Sequence, residues 1–334
     1  MPMTINKIAV VAPVFNEEAV LPEFYRRLSA VADSLPEAEF EFLLVNDGST
    51  DRSAALLDGL AAQDRRVKVL HLAANFGHQI ALSAGVDHAD ADLIVTMDAD
   101  LQDSPELIPA IKLKIEEGYD IIQMQRASRD GESRFKLLTA RAFYKFMTYL
   151  GIKGLVENVG DFRAFTRQVQ QVACRFRERH KFLRGIYATL GFRQHVMPYR
   201  RDRRYAGSTK FSLSKMIAFA LDGILTFSSA PLKFLHVIAI TLWIISLAYL
   251  IKALLDHYVF DVTVPGWTSL VVLLVFFTGL VLYSLAIVGL YIGKIFEQGQ
   301  RRPLYWIREG RNVEPVDDGC GQPWAKTPET QNRK

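Results

Sequence analysis

Three carboxylates crowd into residues 98–103, which read DADLQD and directly follow an apolar run. Like charges this close repel one another unless something positive lies between them. A divalent cation is the simplest such charge, because Mg²⁺ and Mn²⁺ prefer oxygen ligands and often share their coordination shell with substrate phosphates. We therefore expect Asp98 and Asp100 to face a metal ion, with Gln102 as a neutral oxygen donor nearby. Asp103 is expected to start the next helix and is given no metal role.

The elements that must position these carboxylates form an alternating pattern of strands and helices over residues 5–125. This α/β order is typical of a mostly parallel sheet covered by helices on both faces. We predict strands at 8–13, 41–45, 67–72, 93–97 and 120–123, and helices at 17–35, 53–63, 78–89 and 105–117.

The turns at the carboxyl ends of these strands are unusually polar. Ligands of mostly parallel sheets bind beyond those strand ends, so the turns are where chemistry is expected. Each turn could merely cap the helix that follows it, but four of them on one edge of one sheet are harder to explain by capping. The polar turns lie at residues 16–18, 46–51, 75–78 and 98–103.

The composition describes a soluble part joined to a membrane part, because 50% of the residues are hydrophobic and 23% are charged. The net charge of +4 is small for 334 residues, and we expect no nucleic acid partner. Cys174 and Cys320 lie far apart without metal-ligand spacing, so free thiols in a reducing compartment are expected. The N-terminus lacks a cleavage pattern and predicts a first strand rather than a signal peptide, which places the soluble part in the cytoplasm.

Two long uncharged runs, at 234–251 and 267–293, predict a transmembrane hairpin. At 1.5 Å per residue the first covers about 27 Å, close to the hydrocarbon thickness of roughly 30 Å. A buried core hairpin is the alternative. Basic residues lie outside the pair, so both ends are expected in the cytoplasm. The predicted organisation is a catalytic domain at 1–210, an interfacial amphipathic helix at 211–230, the two-helix hairpin at 231–295, and a cytoplasmic tail at 296–334 whose end is disordered.

The motifs, taken in chain order, resemble those of the GT-A fold glycosyltransferases of family 2. The whole set is similar to the polyprenyl-phosphate branch, which includes dolichol-phosphate mannose synthase and the bacterial bactoprenol glucosyltransferases. The resemblance covers residues 7–295. The segments that carry it are Ala12 to Glu18, Val45 to Asp51, Asp98 to Asp103, Gly160 to Arg163 and Arg204 to Phe211, followed by the two predicted membrane helices.

The resemblance implies a role for each of these segments, with Asp47 on the uracil or ribose side of a nucleotide and the metal bridging the diphosphate. Basic side chains suit phosphate, although a basic strip at an anionic membrane is an alternative for residues 200–204. The implied metal ligands are Asp98, Asp100 and Gln102. The implied nucleotide-sugar ligands are Pro13, Phe15, Glu17, Asp47, Arg204 and Lys210. The residues implied for a phosphate or the acceptor are Arg126 and Arg163.

Asp161 lies in a segment where related enzymes carry an acid near the reacting sugar, in the position expected of a base. A phosphate monoester acceptor is already anionic at pH 7, since its second pKa is about 6. The acceptor therefore needs positioning more than deprotonation. Asp161 could equally orient the acceptor, bind a sugar hydroxyl or pair with Arg163.

The implied reaction is metal-dependent, inverting transfer of a hexose from a nucleotide diphosphate sugar to polyprenyl phosphate, such as undecaprenyl phosphate, at the cytoplasmic membrane face. UDP-glucose is the preferred donor, while GlcNAc, mannose and aminoarabinose donors stay open. A transferase acting on a non-lipid acceptor and a non-enzymatic nucleotide-binding module are the alternatives. A processive synthase is disfavoured because the sequence lacks a Gln-x-x-Arg-Trp segment. Packing between membrane helices would allow a homo-oligomer.

Overall fold

The computed structural model describes residues 4–127, 158–178, 183–200, 266–300 and 302–313, with Val156, Lys181 and scattered residues between 235 and 259. The chain divides into two compact units, one of residues 1–212 with 303–334 and the other of residues 213–302. Arg204, Lys210 and the predicted interfacial helix lie outside the described residues.

The first unit is built on an eight-stranded sheet in the order β7-β5-β6-β4-β1-β2-β3-β8. Its strands are β1 Lys7–Val14, β2 Glu39–Asn46, β3 Val67–Leu72, β4 Leu93–Thr96, β5 Ile121–Arg126, β6 Val159–Thr166, β7 Gln194–Tyr199 and β8 Ile307–Arg311. Its helices are α1 Leu21–Asp33, α2 Ser53–Gln63, α3 His78–His88, α4 Ile108–Glu116 (preceded by a 3-10 turn at Pro105–Leu107), α5 Arg167–Ala173 and α6 Leu183–Thr189.

The sheet is mostly parallel at its centre, as predicted. β1 pairs in parallel with β2 and β4, and β2 pairs in parallel with β3. Helices cover these strands, so the strands read as continuous apolar runs and are buried along almost their whole length. The structure confirms the predicted α/β GT-A architecture.

Strand register brings the functional turns to one edge of the sheet. Val14 lies opposite Asn46, and Val11 lies opposite Thr96, so β1, β2 and β4 all end at the same side. β6 runs antiparallel to β4 with Arg163 opposite Thr96. The start of β6 therefore meets the end of β4, and the Thr96 hydroxyl donates a 2.7 Å hydrogen bond to the carbonyl of Asp161.

Helix packing depends on side-chain spacing and on one small residue. α1 buries Leu21, Phe24 and Leu28, which share one face of the helix. α3 packs directly on β1 and β2 at Gly85, where a Cβ would overlap the side chains of Val11 and Val45. The close approach of α3 to the sheet therefore requires glycine at this position.

β8 lies inside the segment predicted to be a cytoplasmic tail. It pairs antiparallel with β3, the opposite orientation from the other neighbour of β3. Residues 303–313 thus belong to the same unit as the catalytic sheet, although a long helix separates them from it in the sequence.

The second unit contains α7, Trp267–Gly299, which begins at the residue where the second membrane run was predicted to begin. Within it the span Phe276–Gly299 is 24 residues long and contains an exposed 18-residue stretch with a mean hydropathy of 1.9, so it is long and apolar enough to cross a membrane. Exposure of its apolar side chains disfavours the buried-hairpin alternative. The described residues of the first run, such as Ile240 and Ile251, are helical, but only one spanning candidate is found among the described residues.

Candidate active site

The turns after β1 and β2 are joined into one structure. Asn16 has a left-handed backbone with φ of 56°, which asparagine tolerates better than most residues. Its backbone N–H donates to the Ser49 hydroxyl at 3.1 Å, and its side-chain oxygen accepts from the Thr50 N–H at 2.8 Å. Of the predicted nucleotide ligands in this region, Pro13 is buried at the end of β1, whereas Phe15 is exposed in the turn.

Asp47 holds the loop that leads into α3. It is buried, and its two carboxylate oxygens accept hydrogen bonds from the backbone N–H groups of Phe76, at 2.7 Å, and Gly77, at 3.0 Å. Burial raises the pKa of Asp47, although these two hydrogen bonds oppose the shift. Gly48 has a φ of +67° and lies close to the backbone of Ala74. A Cβ added to Gly48 would come within 2.7 Å of the Ala74 carbonyl carbon. Asp47 therefore fixes the loop before α3 from the protein interior.

The DADLQD segment is a closed turn. The N–H of Asp98 donates to Asp103 at 3.4 Å, and the N–H of Gln102 donates to Asp100 at 3.1 Å. Leu101 adopts a left-handed backbone with φ of 60° to close it. Asp103 is fully buried and also accepts from the Tyr199 hydroxyl at 2.6 Å, so it stabilises the turn from inside.

Asp161 lies at the centre of a polar cluster on the same edge. Its carboxylate accepts from Gln79 at 2.8 Å and from Arg184 at 3.3 Å. The His78 Nε2 atom lies 3.4 Å from Asp161 and also 3.4 Å from Asp98. The structure therefore brings the predicted metal ligand Asp98 and the predicted catalytic acid Asp161 to the same ring nitrogen of His78.

The charges in this cluster stabilise one another. Burial opposes charge on His78, but its hydrogen bond to Asp161 and the nearby charge of Asp98 outweigh that effect and raise the pKa of His78 to about 9. Burial alone would raise the pKa of Asp161, but Arg184 and His78 hold it well below its usual range. His78 thus supplies part of the positive charge that the crowded carboxylates need.

Arg163 supports this cluster from the protein interior. It is buried, and its guanidinium donates to the Gly160 carbonyl at 2.9 Å and lies over the Tyr187 ring, 4.7 Å from its centroid. It lies 3.9 Å from Asp161. Burial lowers the pKa of Arg163, while the charge of Asp161 opposes that shift. The location of Arg163 favours a role in which Arg163 supports Asp161.

Arg126 lies at the end of β5 and is half-buried. Its guanidinium packs so closely against Gly160 that a Cβ there would come within 2.7 Å of Nη2. The charge of Arg126 also acts on Tyr199, the residue that donates to Asp103, and opposes the rise in the pKa of Tyr199 that burial causes. The predicted phosphate ligand therefore lies near the side chain that supports the DADLQD turn.

A divalent cation fits Asp98 and Asp100 only if other ligands complete its shell. Among the described residues no group of three or more His, Cys, Asp or Glu side chains converges as metal ligands do. Mg²⁺ is often held by one or two carboxylates together with substrate phosphates and water. The acidic residues of the turn, with the amide of Gln102, match that pattern.

Sequence reasoning missed His78, Gln79 and Arg184. His78 lies in one of the polar turns at which chemistry was expected. The sequence therefore indicated its position but not its role. Gln79 and Arg184 reach Asp161 across sequence separations of 82 and 23 residues. No local pattern marks either of them as part of a site.

Comparison with known proteins defines the class. A model of the family described as "Glycosyl transferase family 2" matches residues 9–172. The chain is 41% identical to the uncharacterized glycosyltransferase YkcC of Bacillus subtilis, over 92% of this chain and 94% of that one. It is 37% identical to the SfII prophage-derived bactoprenol glucosyl transferase of Shigella flexneri, over 92% of this chain and 100% of that one.

The chain belongs to glycosyltransferase family 2, and it is a glycosyltransferase. It is related over nearly its whole length to bactoprenol glucosyl transferases. Among solved structures it resembles glucosyl-3-phosphoglycerate synthase from Mycobacterium tuberculosis, solved with Mn²⁺, UDP and phosphoglyceric acid. That likeness has a TM-score of 0.45 and 18% identity, and covers 66% of this chain and 77% of the other.

Proposed function

We propose that this glycosyltransferase transfers a hexose from a nucleotide diphosphate sugar to polyprenyl phosphate at the cytoplasmic face of the membrane. One observation carries the proposal: the Asp98–His78–Asp161 cluster at the ligand-binding edge of the sheet belongs to a chain with an exposed apolar helix. The relationship to bactoprenol glucosyl transferases along the whole length of those proteins supports the same acceptor class.

The reaction is a single displacement. An oxygen of the lipid phosphate attacks the anomeric carbon and forms a new C–O bond, while the bond from that carbon to the nucleotide diphosphate breaks. The anomeric centre is inverted, so an α-linked donor yields a β-linked product. Mg²⁺ or Mn²⁺, held by Asp98, Asp100 and Gln102, would neutralise the charge that develops on the departing diphosphate.

The nucleotide lies, in this proposal, against the joined turns after β1 and β2. Phe15 is exposed there and offers a ring to the base, and Glu17 lies in the same turn. Pro13 and Asp47 are buried beneath them and fix their shape. Arg204 and Lys210 are proposed to bind donor phosphates, and Arg126 the phosphate of the donor or the acceptor.

Asp161 acts as a positioning residue. Both of its oxygens accept hydrogen bonds or face cations, and its pKa is held well below its usual range, so it is a weak base. It fixes the partly exposed side chains of Arg184 and His78, and His78 also lies 3.4 Å from Asp98 of the acidic turn. Cations at this place suit the phosphate groups of either substrate.

The course of the chain supports a membrane hairpin whose two flanks lie on the same side of the membrane, which the proposal takes as the cytoplasmic side. β8 follows the apolar helix α7 but pairs with β3, which precedes every apolar run. A chain that leaves the sheet, enters the membrane and returns to the same sheet must cross an even number of times. The first apolar run, at 234–251, is the natural second crossing.

A donor panel tests the proposal. Membranes containing the protein are incubated with labelled UDP-glucose, UDP-GlcNAc, GDP-mannose or an aminoarabinose donor, together with Mn²⁺ and undecaprenyl phosphate, and the lipid phase is then extracted. We expect label in the lipid phase with one donor, UDP-glucose first, and its loss when the metal is chelated. Label confined to the aqueous phase with every donor would refute the lipid acceptor.

A further inference from the structure

The segment of residues 303–313, which directly follows α7 and which we call the return segment, is docked firmly on the catalytic sheet. Tyr305 is buried, and its hydroxyl donates to Asp87 near the end of α3 at 3.0 Å. Asn312 donates to two backbone carbonyls, those of Ala61 at 2.7 Å and Val67 at 2.9 Å. Between them β8 pairs with β3. The return segment is therefore an ordered part of the catalytic unit.

A chain of polar contacts leads from the return segment into the sheet. Arg311 Nε donates to Asp58 Oδ1 at 2.8 Å, and the same oxygen lies 3.1 Å from His71 Nε2. His71 Nδ1 in turn lies 2.9 Å from the amide nitrogen of Asn46. His71 and Asn46 are 1% and 4% exposed, so these contacts form where an unpaired polar group would be costly.

Each group in this series of polar contacts is oriented by the group next to it. The Ser49 N–H donates to the side-chain oxygen of Asn46 at 2.9 Å, so the amide presents its NH₂ to His71. His71 Nδ1 must therefore accept, and its proton lies on Nε2, where it is donated to Asp58. Arg311 holds Asp58 in place to receive it.

The series of contacts ends at the proposed nucleotide site, which is formed by the joined turns after β1 and β2. The Ser49 hydroxyl accepts from the N–H of Asn16, which precedes Glu17 and follows the exposed Phe15. Asn46 itself precedes Asp47, the residue that holds the loop before α3. Arg311 is therefore connected with both turns of the proposed nucleotide site through four residues, Asp58, His71, Asn46 and Ser49.

We propose that the return segment positions the nucleotide pocket, with Arg311 acting through Asp58, His71 and Asn46 on the turn at residues 46–49. The inference rests on the proposed function in one respect, that this pocket binds a nucleoside diphosphate. Such coupling is reciprocal. If docking of the return segment strengthens nucleotide binding, nucleotide binding must stabilise the docked return segment by the same free energy. Nucleotide binding therefore also changes the stability of the return segment, which directly follows α7.

Binding of UDP with Mn²⁺ to the full-length protein in detergent, measured by calorimetry, tests the proposal. Arg311→Met should weaken UDP binding by about fivefold or more, the range of a coupling free energy of about 1 kcal/mol or above. Arg311→Lys, which keeps a cation beside Asp58, should bind within about twofold of the wild type. Arg308→Met is the matched control, because Arg308 lies in the same strand, is exposed and pairs with Glu309; its affinity should not change.

Two further readouts separate positioning from general stability. Arg311→Met should raise KM for the nucleotide sugar and leave kcat nearly unchanged, as expected for weakened ground-state binding. In the wild type, UDP should slow amide hydrogen exchange in residues 307–311. Equal UDP affinity in the wild type and Arg311→Met, or exchange unaffected by UDP, would overturn the inference while leaving the proposed function intact. A wild-type protein that binds no UDP would instead contradict the proposed donor and remove the basis of the inference.

Discussion

At the scale of residues, the site is organised by mutual neutralisation. Asp98 lies in the turn after β4 and Asp161 lies in β6, and His78 is 3.4 Å from each of them. Their charges raise the pKa of His78 to about 9, against the opposing effect of burial. The positive charge that crowded carboxylates require is thus supplied in part by His78, and we propose that a divalent cation bound with the substrate supplies the remainder.

Asp161 is predicted to act through Arg184. Asp161→Asn and Arg184→Met should each lower kcat/KM for lipid glycosylation, and the double variant should lose much less than the product of the two losses. Residues in direct contact show coupling free energies of about 0.5–3 kcal/mol in such cycles. Multiplicative losses would instead assign Asp161 an independent role, as the alternative of a general base requires.

Asp100 is predicted to bind the metal together with the nucleotide. Asp100→Asn should weaken Mn²⁺ binding in the presence of UDP by about tenfold or more, because a neutral amide replaces a charged ligand. Mn²⁺ binding can be followed by electron paramagnetic resonance. Asp90→Asn is a suitable control, since Asp90 is an exposed acid that pairs with Lys7 and Arg167. Equal losses in both variants would remove Asp100 from the metal site.

At the scale of elements, α3 connects the active site with the return segment. Its first residues, His78 and Gln79, contact Asp161, and near its other end Asp87 receives the Tyr305 hydroxyl. Its middle lies directly on β1 and β2 at Gly85. Small shifts of this helix against the sheet would therefore alter the active site.

The packing of α3 makes Gly85→Ala destabilising. The added Cβ would overlap Val11 and lie 2.9 Å from Val45, and overpacking of this kind costs about 1–3 kcal/mol. Gly59→Ala is the matched control, because Gly59 lies in α2 and an added Cβ there would meet no atom of the described residues within 4 Å. That change should stabilise the protein by about 0.4–1 kcal/mol. Thermal unfolding in detergent distinguishes the two, and an unchanged melting temperature for Gly85→Ala would contradict this close packing.

Elements with a clear local period were predictable from the sequence. The helix at 53–63 and the strand at 67–72 have the predicted bounds, because their apolar residues match the helical and extended periods. β8 was missed, since Ile307 is its single apolar residue and its pairing with β3 joins segments far apart in the sequence. The candidate site divides in the same way: Asp98 and Asp100 were marked by a strand-end turn and Asp161 by the family resemblance, whereas Arg184 reaches Asp161 only through the fold.

At the scale of the whole molecule, the pairing of β8 with β3 bears on the proposed membrane hairpin. If α7 crosses a membrane, a single crossing would leave β8 and β3 on opposite sides of the bilayer, yet they are neighbours in one sheet. The proposal therefore requires a second crossing before α7. The catalytic sheet is in any case completed by residues that follow α7 in the sequence.

The topology is testable by cysteine labelling in intact cells. In a background with Cys174 and Cys320 replaced by Ser, Asp261→Cys in the loop between the apolar runs should react with a membrane-impermeant maleimide. Asp317→Cys in the tail should react only after the membrane is permeabilised. Labelling of both positions, or of neither, in intact cells would contradict the hairpin.

Transfer of a hexose to a lipid phosphate is tested by mass spectrometry of the lipid product. Purified full-length protein is mixed with undecaprenyl phosphate, Mn²⁺ and the donor selected in the panel, and the lipid is analysed with and without enzyme. We expect a polyprenyl phosphate that carries one added hexose and that is absent when Asp100→Asn replaces the wild type. Unmodified lipid together with hydrolysed or otherwise transferred sugar would contradict it.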